Sequence, residues 1–281
     1  MDIFYLHAAD RSVPFAETLA ELDKLHKEGK FIELGLSNFT AFEVAEVVLT
    51  SIANDWVRPT IYQGMYNAIT RSPDAELIPA LRRYGIQYVV YNPIAGGLFS
   101  GKYTTLTADS VPEEGRFSNT AARTGDMYRK RYFKDATFEA LRLIEPAAKA
   151  KGLTLLETAL RWTVWHGQLV VGGVDYAAAA AGKHDGENGG KPYSDAQVAD
   201  WKEKAALSET VRDGIIIGVS NLGQLESNLK DLEKGPLPED LVKVLDDAWL
   251  ITKATTPNYW HLDLKYTYDT VASLIGKEKK A

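Results

Sequence analysis

The sequence predicts an α/β fold in which helices cover a parallel sheet, and three observations predict it. Apolar runs and amphipathic segments alternate along the chain at roughly 25–30 residues per strand–helix unit. The apolar runs are nearly continuous, as in strands buried on both faces. Polar groups recur where those runs end, at His7, Ser37-Asn38, Gln63, Tyr91-Asn92 and Ser220-Asn221. In a parallel sheet five such ends converge on one edge, where ligands of α/β folds bind. Polar residues also simply begin loops, so one such residue would mean little.

Each element follows from its own stretch. Residues 2–7 read as a strand, and "PFAETLAELDKLHKEGK" as a helix between Pro14 and Gly29 with Leu19, Leu22 and Leu25 on one face. "FIELGLSNF" gives a strand, and Asn38 or Thr40 caps the helix "TAFEVAEVVLTSIANDW". "PTIYQ" is a strand, "PDAELIPALRRYG" helical, and "IQYVVYNPIAGG" a strand running into a glycine turn. After an irregular stretch over 104–132 come two helices, "DATFEALRLIEPAAKAKG" and "TLLETALRWTVWHG". "GIIIGVSN" is a strand and "LGQLESNLKDLEKG" the helix after it. The expected parallel strands are thus 2–7, 32–36, 60–63, 86–91 and 214–218. Residues 169–212 break the rhythm with a Gly/Ala-rich tract and read as an insertion between a helix and the next strand. Such loops lie opposite the ligand edge, so no cofactor contact is expected there. From about 262 the chain turns Lys-rich and reads as a frayed tail, leaving 1–261 as a single domain.

Composition narrows the function classes. A net charge of −6 over 281 residues advertises neither nucleic acid nor anionic membrane. Zero cysteines exclude disulfides, thiolate catalysis and Cys-ligated zinc, and suit the cytoplasm. No metal site is expected. No run approaches the ~20 apolar residues of a membrane span, and the first residues lack a signal-peptide pattern.

Two stretches carry candidate chemistry. In "YNPIAGGLFSGKY", Gly96, Gly97 and Gly101 permit close backbone approach and Lys102 adds positive charge, a combination suited to pyrophosphate. It is neither G-x-G-x-x-G nor a Walker A motif, and standing alone it is equally an ordinary glycine turn. In "GVSNLGQLESN", a strand ends in Gly218, Ser220 is a candidate helix cap, and Gln224 and Asn228 share a face at i, i+4. Helix N-termini attract phosphate; capping alone would explain Ser220 but not both amides.

The stretches "DIFYLHAAD", "LHKEGKFIELGLSNF", "PTIYQGMYNAITR", "YNPIAGGLFSGKY", "ALRW", "GVSNLGQLESNL" and "TPNYW" together resemble the aldo-keto reductases, in the branch named for aflatoxin-aldehyde reductases. The resemblance spans nearly the whole chain except the insertion and the tail. It implies a (β/α)₈ TIM-barrel-type fold with NADPH extended across the C-terminal face. By the resemblance, Ser37, Asn38 and Gln63 hold the nicotinamide carboxamide and Tyr91 stacks on the ring. The loop Asn92, Pro93, Ile94, Ala95, Gly96, Gly97, Leu98 and on through Gly101 to Lys102 covers the pyrophosphate, with Arg116. Beyond Gly218, the residues Ser220, Gln224 and Asn228 meet the adenosine 2′-phosphate and adenine. Ser227 stands where related proteins carry an acidic adenine contact, and His261 where some place a substrate-binding Arg.

His7 falls where the family's fourth strand carries a His that orients and polarises the substrate carbonyl. The Asp, the Tyr proton donor and the Lys that lowers its pKa belong to the family's first three strands. The chain therefore reads as a barrel incomplete at the N-terminus, with five family strands retained and, at ~30 residues per unit, roughly 80–90 residues not represented. Tyr5, Tyr62 and Tyr66 do not match the donor's motif. "LVVGGV" (169–174) could add an edge strand, though its glycines weaken the case, and unpaired edges invite association into a homodimer. The expected function is NADPH-dependent reduction of a small-molecule carbonyl in detoxification or secondary metabolism. The alternatives are a nucleotide-binding or interaction protein without turnover, and a non-redox enzyme.

Overall fold

Pro14 and Gly29 bracket the first helix as the sequence requires. The apolar run before it forms β1, Ile3–Leu6, and the helix itself is α1, Phe15–Lys27. Glu17 lies in its first turn and Lys24, His26 and Lys27 in its last, each suited to the helix dipole. Phe15, Leu19 and Leu22 are buried, whereas Leu25 is 38% exposed. Six residues beyond Leu19, it has turned about 120° away from that face. The computed structural model describes residues 1–183 and 188–275 and divides into two units; residues 1–64, 75–89 and those from Asn258 onward form the first.

Strand β2, Glu33–Ser37, leads into α2, Ala41–Ala53, whose cap is Thr40 rather than Asn38. Thr40 and Glu43 exchange side-chain and backbone bonds in a capping box. Strand β3 is Pro59–Met65, α3 is Leu77–Tyr84, and β4 is Gln87–Tyr91. Strands β1 and β2, and β2 and β3, pair in parallel, aligning Leu6 with Leu36 and Leu36 with Tyr62. Leu34, Leu36 and Tyr62 on one face are fully buried. The stretch from 262 is tied down rather than frayed. Thr267 N–H donates to the Arg11 carbonyl at 3.0 Å, and the Tyr266 hydroxyl to Glu43 at 2.6 Å. Buried Arg11 grips Glu43 through both carboxylate oxygens, at 2.7 and 2.9 Å. A short helix, Thr270–Ile275, follows; the Lys-rich end of the tail lies outside the described residues.

The second unit comprises residues 65–74 and 90–257. Within the expected irregular stretch it contains α4, Ala122–Tyr132. Then come α5, Asp135–Ala150, and α6, Leu155–Trp165. The insertion folds into α7, Tyr176–Ala180, and α8, Asp195–Leu207; its residues 184–187 lie outside the described ones. Strand β5 is only Gly214–Ile215, shorter than the expected 214–218, because after Ile216 N–H donates to Val90 O the chain leaves the sheet. "LVVGGV" supplies no edge strand, only one parallel bridge from Val171 to Asp213. Helix α9, Leu222–Glu233, is capped by Asn221, not Ser220. Helix α10, Glu239–Thr252, was not among the expected elements and packs along α5.

The five strands are hydrogen-bonded in chain order, β1-β2-β3-β4-β5. Among the described residues no helix is long and apolar enough to cross a membrane.

Candidate functional site

In the first unit, register alone gathers three of the expected groups. Ser37 pairs with Gln63 in the β2–β3 ladder, and His7 directly follows the Leu6–Leu36 pair. Asn38 makes the turn out of β2 with a left-handed φ of 59°, a conformation Asn tolerates better than most residues. Its amide Nδ2 donates to the His7 carbonyl at 2.8 Å and to Ser37 Oγ at 2.9 Å. Its carbonyl accepts from His261 N–H at 3.1 Å. Asn38 thus braces the ends of β1 and β2, while the His7 side chain is exposed. Tyr5 lies over Gly35, where any Cβ would overlap its ring. Burial raises the Tyr5 pKa, opposed by a hydrogen bond with Gln63.

The second unit holds a cavity of about 720 Å³, within the usual range for a small-molecule site. Tyr91, Asn92, Pro93, Ile94, Gly96 and Gly97 line one side; Arg116, Thr124 and Tyr128 a second; Ile216, Gly218, Val219 and Ser220 a third. The loop after β4 turns left-handed repeatedly, with φ of 58° at Asn92, 49° at Ala95, 68° at Gly96 and 107° at Gly97. A Cβ on Gly96 would strike the Tyr128 ring at 2.7 Å, whereas one on Gly97 would meet nothing. The backbone at Gly97 therefore faces open space. The Arg116 and Arg131 guanidiniums both lie over the Tyr128 ring, at 5.1 and 5.3 Å from its centroid. The Tyr128 hydroxyl donates to Asn92 Oδ1 at 3.1 Å. Burial raises the Tyr91 pKa, partly offset by Arg131, so its half-buried ring offers a neutral flat wall.

This geometry gathers Tyr91 to Ile94, Gly96, Gly97, Arg116, Gly218 and Ser220, and leaves out other expected contacts. Ala95 and Leu98 are buried in the loop's own base. Lys102 is exposed, and neither it nor Gly101 lines the cavity. Gln224 Oε1 accepts from Ser220 N–H at 2.8 Å, folding the amide back on the turn. Asn228 is buried and does not line the cavity. No described residue of 169–212 lines the cavity. Thr124, Tyr128 and Arg131 were missed, although Tyr128, Arg131 and Tyr132 stand at i, i+3 and i+4, the spacing of one helix face. The residues present suit an anionic dinucleotide: open glycine backbone for phosphate, a cation beside it, and an aromatic wall.

The Aldo/keto reductase family model matches residues 1–250. The chain is 38% identical over 264 residues to aflatoxin B1 aldehyde reductase member 2 of Rattus norvegicus, covering 92% of this chain and 61% of the rat protein. It is 39% identical over 265 residues to human aldo-keto reductase family 7 member A3, covering 92% and 68%. The fungal oxidoreductase sirO of Leptosphaeria maculans is 29% identical over 259 residues, covering 92% and 66%. The chain thus spans about three-fifths of the length of the rat relative it matches. Strands paired in chain order, helices between them and this shared sequence lead to one conclusion: the chain belongs to the aldo/keto reductase family, an α/β fold of (β/α)₈ type.

Proposed function

We propose that this chain binds NADPH and serves the reduction of an aldehyde or ketone. The observation that carries the reading is the left-handed run Ala95–Gly97 beside a cavity that also presents Arg116 and Ser220. In this reading the loop backbone and Arg116 hold the pyrophosphate, and Ser220 with the start of α9 serves the adenosine phosphate. Tyr91 supplies the surface on which the nicotinamide stacks. NADPH supplies a hydride when bound. His7, exposed at the end of β1, orients and polarises the carbonyl oxygen through its imidazole N–H. The name of the rat relative points to aldehydes as the substrate class, and a cytoplasmic setting suits the absence of cysteine.

One observation favours the second reading, nucleotide binding with little turnover. Tyr62 and Tyr66 are fully buried, and the Tyr5 phenol is hydrogen-bonded to Gln63, so none of the three stands ready as a general acid. Without a positioned general acid the rate falls by ~10²–10⁴. Titration by NADPH fluorescence is expected to saturate, with Arg116→Ala at least ~tenfold weaker, about 1.4 kcal/mol. No saturable binding at millimolar NADPH would sink the proposal. With 4-nitrobenzaldehyde or succinic semialdehyde, NADPH oxidation is expected to run at least ~10²-fold below that of the rat relative. Equal turnover would overturn the second reading and return attention to Tyr5.

A further inference from the structure

Asn67 lies beneath the cavity's glycine loop, is fully buried, and touches neither the cavity nor any residue assigned above except Asn92. All of its polar atoms are engaged. Its N–H donates to Thr70 O at 3.3 Å, and its carbonyl accepts from Thr70 N–H at 3.0 Å. Its side-chain Oδ1 accepts from Ile69 N–H at 3.1 Å, which fixes the amide's orientation, since only an oxygen can accept there. The opposite end, Nδ2, is thereby aimed at the Asn92 carbonyl, to which it donates at 3.0 Å.

That carbonyl is the pivot of the loop. It also accepts from Ala95 N–H at 2.9 Å, closing the turn that carries the chain into the left-handed run. Asn92 is itself left-handed, and its side chain is held by Tyr128 at Oδ1 and by the Tyr132 hydroxyl at 3.4 Å from Nδ2. The Tyr132 hydroxyl lies 3.4 Å from Asn67 Nδ2 as well, joining the two amides through one acceptor. Successive left-handed residues persist only where surrounding contacts over-determine them. Here Tyr128 holds from the cavity wall, whereas Asn67 and Tyr132 are buried and do not line the cavity.

We propose that Asn67 is a positioning residue that holds the loop from Asn92 to Gly97 in its ligand-competent conformation, so that the cofactor meets a preformed backbone cradle. The inference rests on the NADPH reading for its ligand, but its mechanical part does not. A loop that is competent only a fraction of the time binds with its dissociation constant raised by the inverse of that fraction.

The test compares wild type with Asn67→Ser, whose hydroxyl is too short to reach Asn92, and Tyr132→Phe, which keeps the ring and removes the shared acceptor together with its bond to Met65 Sδ. Hydrogen exchange of the free protein, thermal midpoint, and affinities for NADPH and for adenosine 2′-phosphate are measured. For Asn67→Ser, exchange of the 92–98 amides is expected to accelerate about tenfold while that of α9 stays unchanged. NADPH should bind about tenfold more weakly, with adenosine 2′-phosphate within twofold of wild type. Tyr132→Phe should show the same selectivity at about threefold, and it decides the question if Asn67→Ser does not fold. Unchanged 92–98 exchange, or acceleration spread equally over α9, overturns the inference. Selective loosening in a protein whose wild type fails to bind NADPH would retain the positioning role and reject the proposed cofactor.

Discussion

At the scale of single residues, one backbone carbonyl sets where α4 can lie. The Ser118 carbonyl oxygen sits so close to Gly125 that any Cβ there would overlap it. Gly125 is mid-helix, where alanine ordinarily gains about 1 kcal/mol over glycine. Here the sign reverses, because the obstructing atom is backbone and cannot swing aside. Gly125→Ala is expected to destabilise by about 1–3 kcal/mol, the usual cost of overpacking, read from thermal or denaturant unfolding. A stabilised variant would show that the helix and the 115–120 segment are not in this contact. The same glycine explains why α4 was illegible in the sequence. "ARTGDMYRKRY" lacks an apolar stripe and carries a breaker at its centre, and the reason for the breaker lies seven residues upstream.

At the scale of elements, the insertion is a built part of the second unit. Trp201 of α8 is fully buried, with its ring 4.9 Å from Tyr193 and 6.0 Å from Trp165 of α6. Lys204, one turn on, donates to the carbonyls of Trp165 and Gly167 at 3.0 and 2.8 Å, capping the end of α6 with a cation. Trp201→Ala is expected to cost about 3–5 kcal/mol, while NADPH affinity per folded molecule stays within about threefold, since no described residue of 169–212 lines the cavity. A tenfold loss of affinity in protein that remains folded, ~1.4 kcal/mol, would mean that the segment supports the site. The stretch was legible in the sequence as an insertion; its partners on α6 were not, because they depend on long-range packing.

At the scale of the whole molecule, two buried groups oppose one another in acid. Burial pushes the Asp74 carboxyl up to about 6, against the pull of a Tyr66 hydrogen bond, Arg71 and Lys204. Native Asp74 therefore holds a proton that the unfolded chain, at its usual 3.8, has released, so this group adds stability as pH falls through that window. Burial pushes His166 down to about 3, partly offset by Gln197. It stays neutral while the unfolded chain, at 6.5, takes up a proton, so this group removes stability as pH falls below 6.5. Leu237 N–H donates to His166 Nε2 at 2.9 Å, which requires that nitrogen unprotonated. Asp74→Asn is expected to stabilise the protein above pH 7 by on the order of 1–3 kcal/mol. It should also steepen the acid limb below pH 6, where His166 then acts unopposed. Urea melts from pH 4 to 8 check both signs; a variant that parallels wild type throughout would show that Asp74 ionises normally.

The sequence by itself determined the α/β class, four of the five strands to within about two residues, the glycine turn after β4 and the polar groups at the strand ends. These follow from local rules: hydrophobic period, turn chemistry, capping and the position of polar residues at strand ends. Only the tertiary structure decided that Asn221 rather than Ser220 caps α9, that Gln224 folds back on its own turn, that Asn228 is buried, and that Thr124 and Tyr128 complete the cavity. It alone also placed Asn67 under the loop, because that hydrogen bond joins residues 25 apart along the chain. The division has a physical cause. Backbone conformation is written into neighbouring residues, whereas the direction and partner of a polar side chain depend on which distant segment packing brings to it.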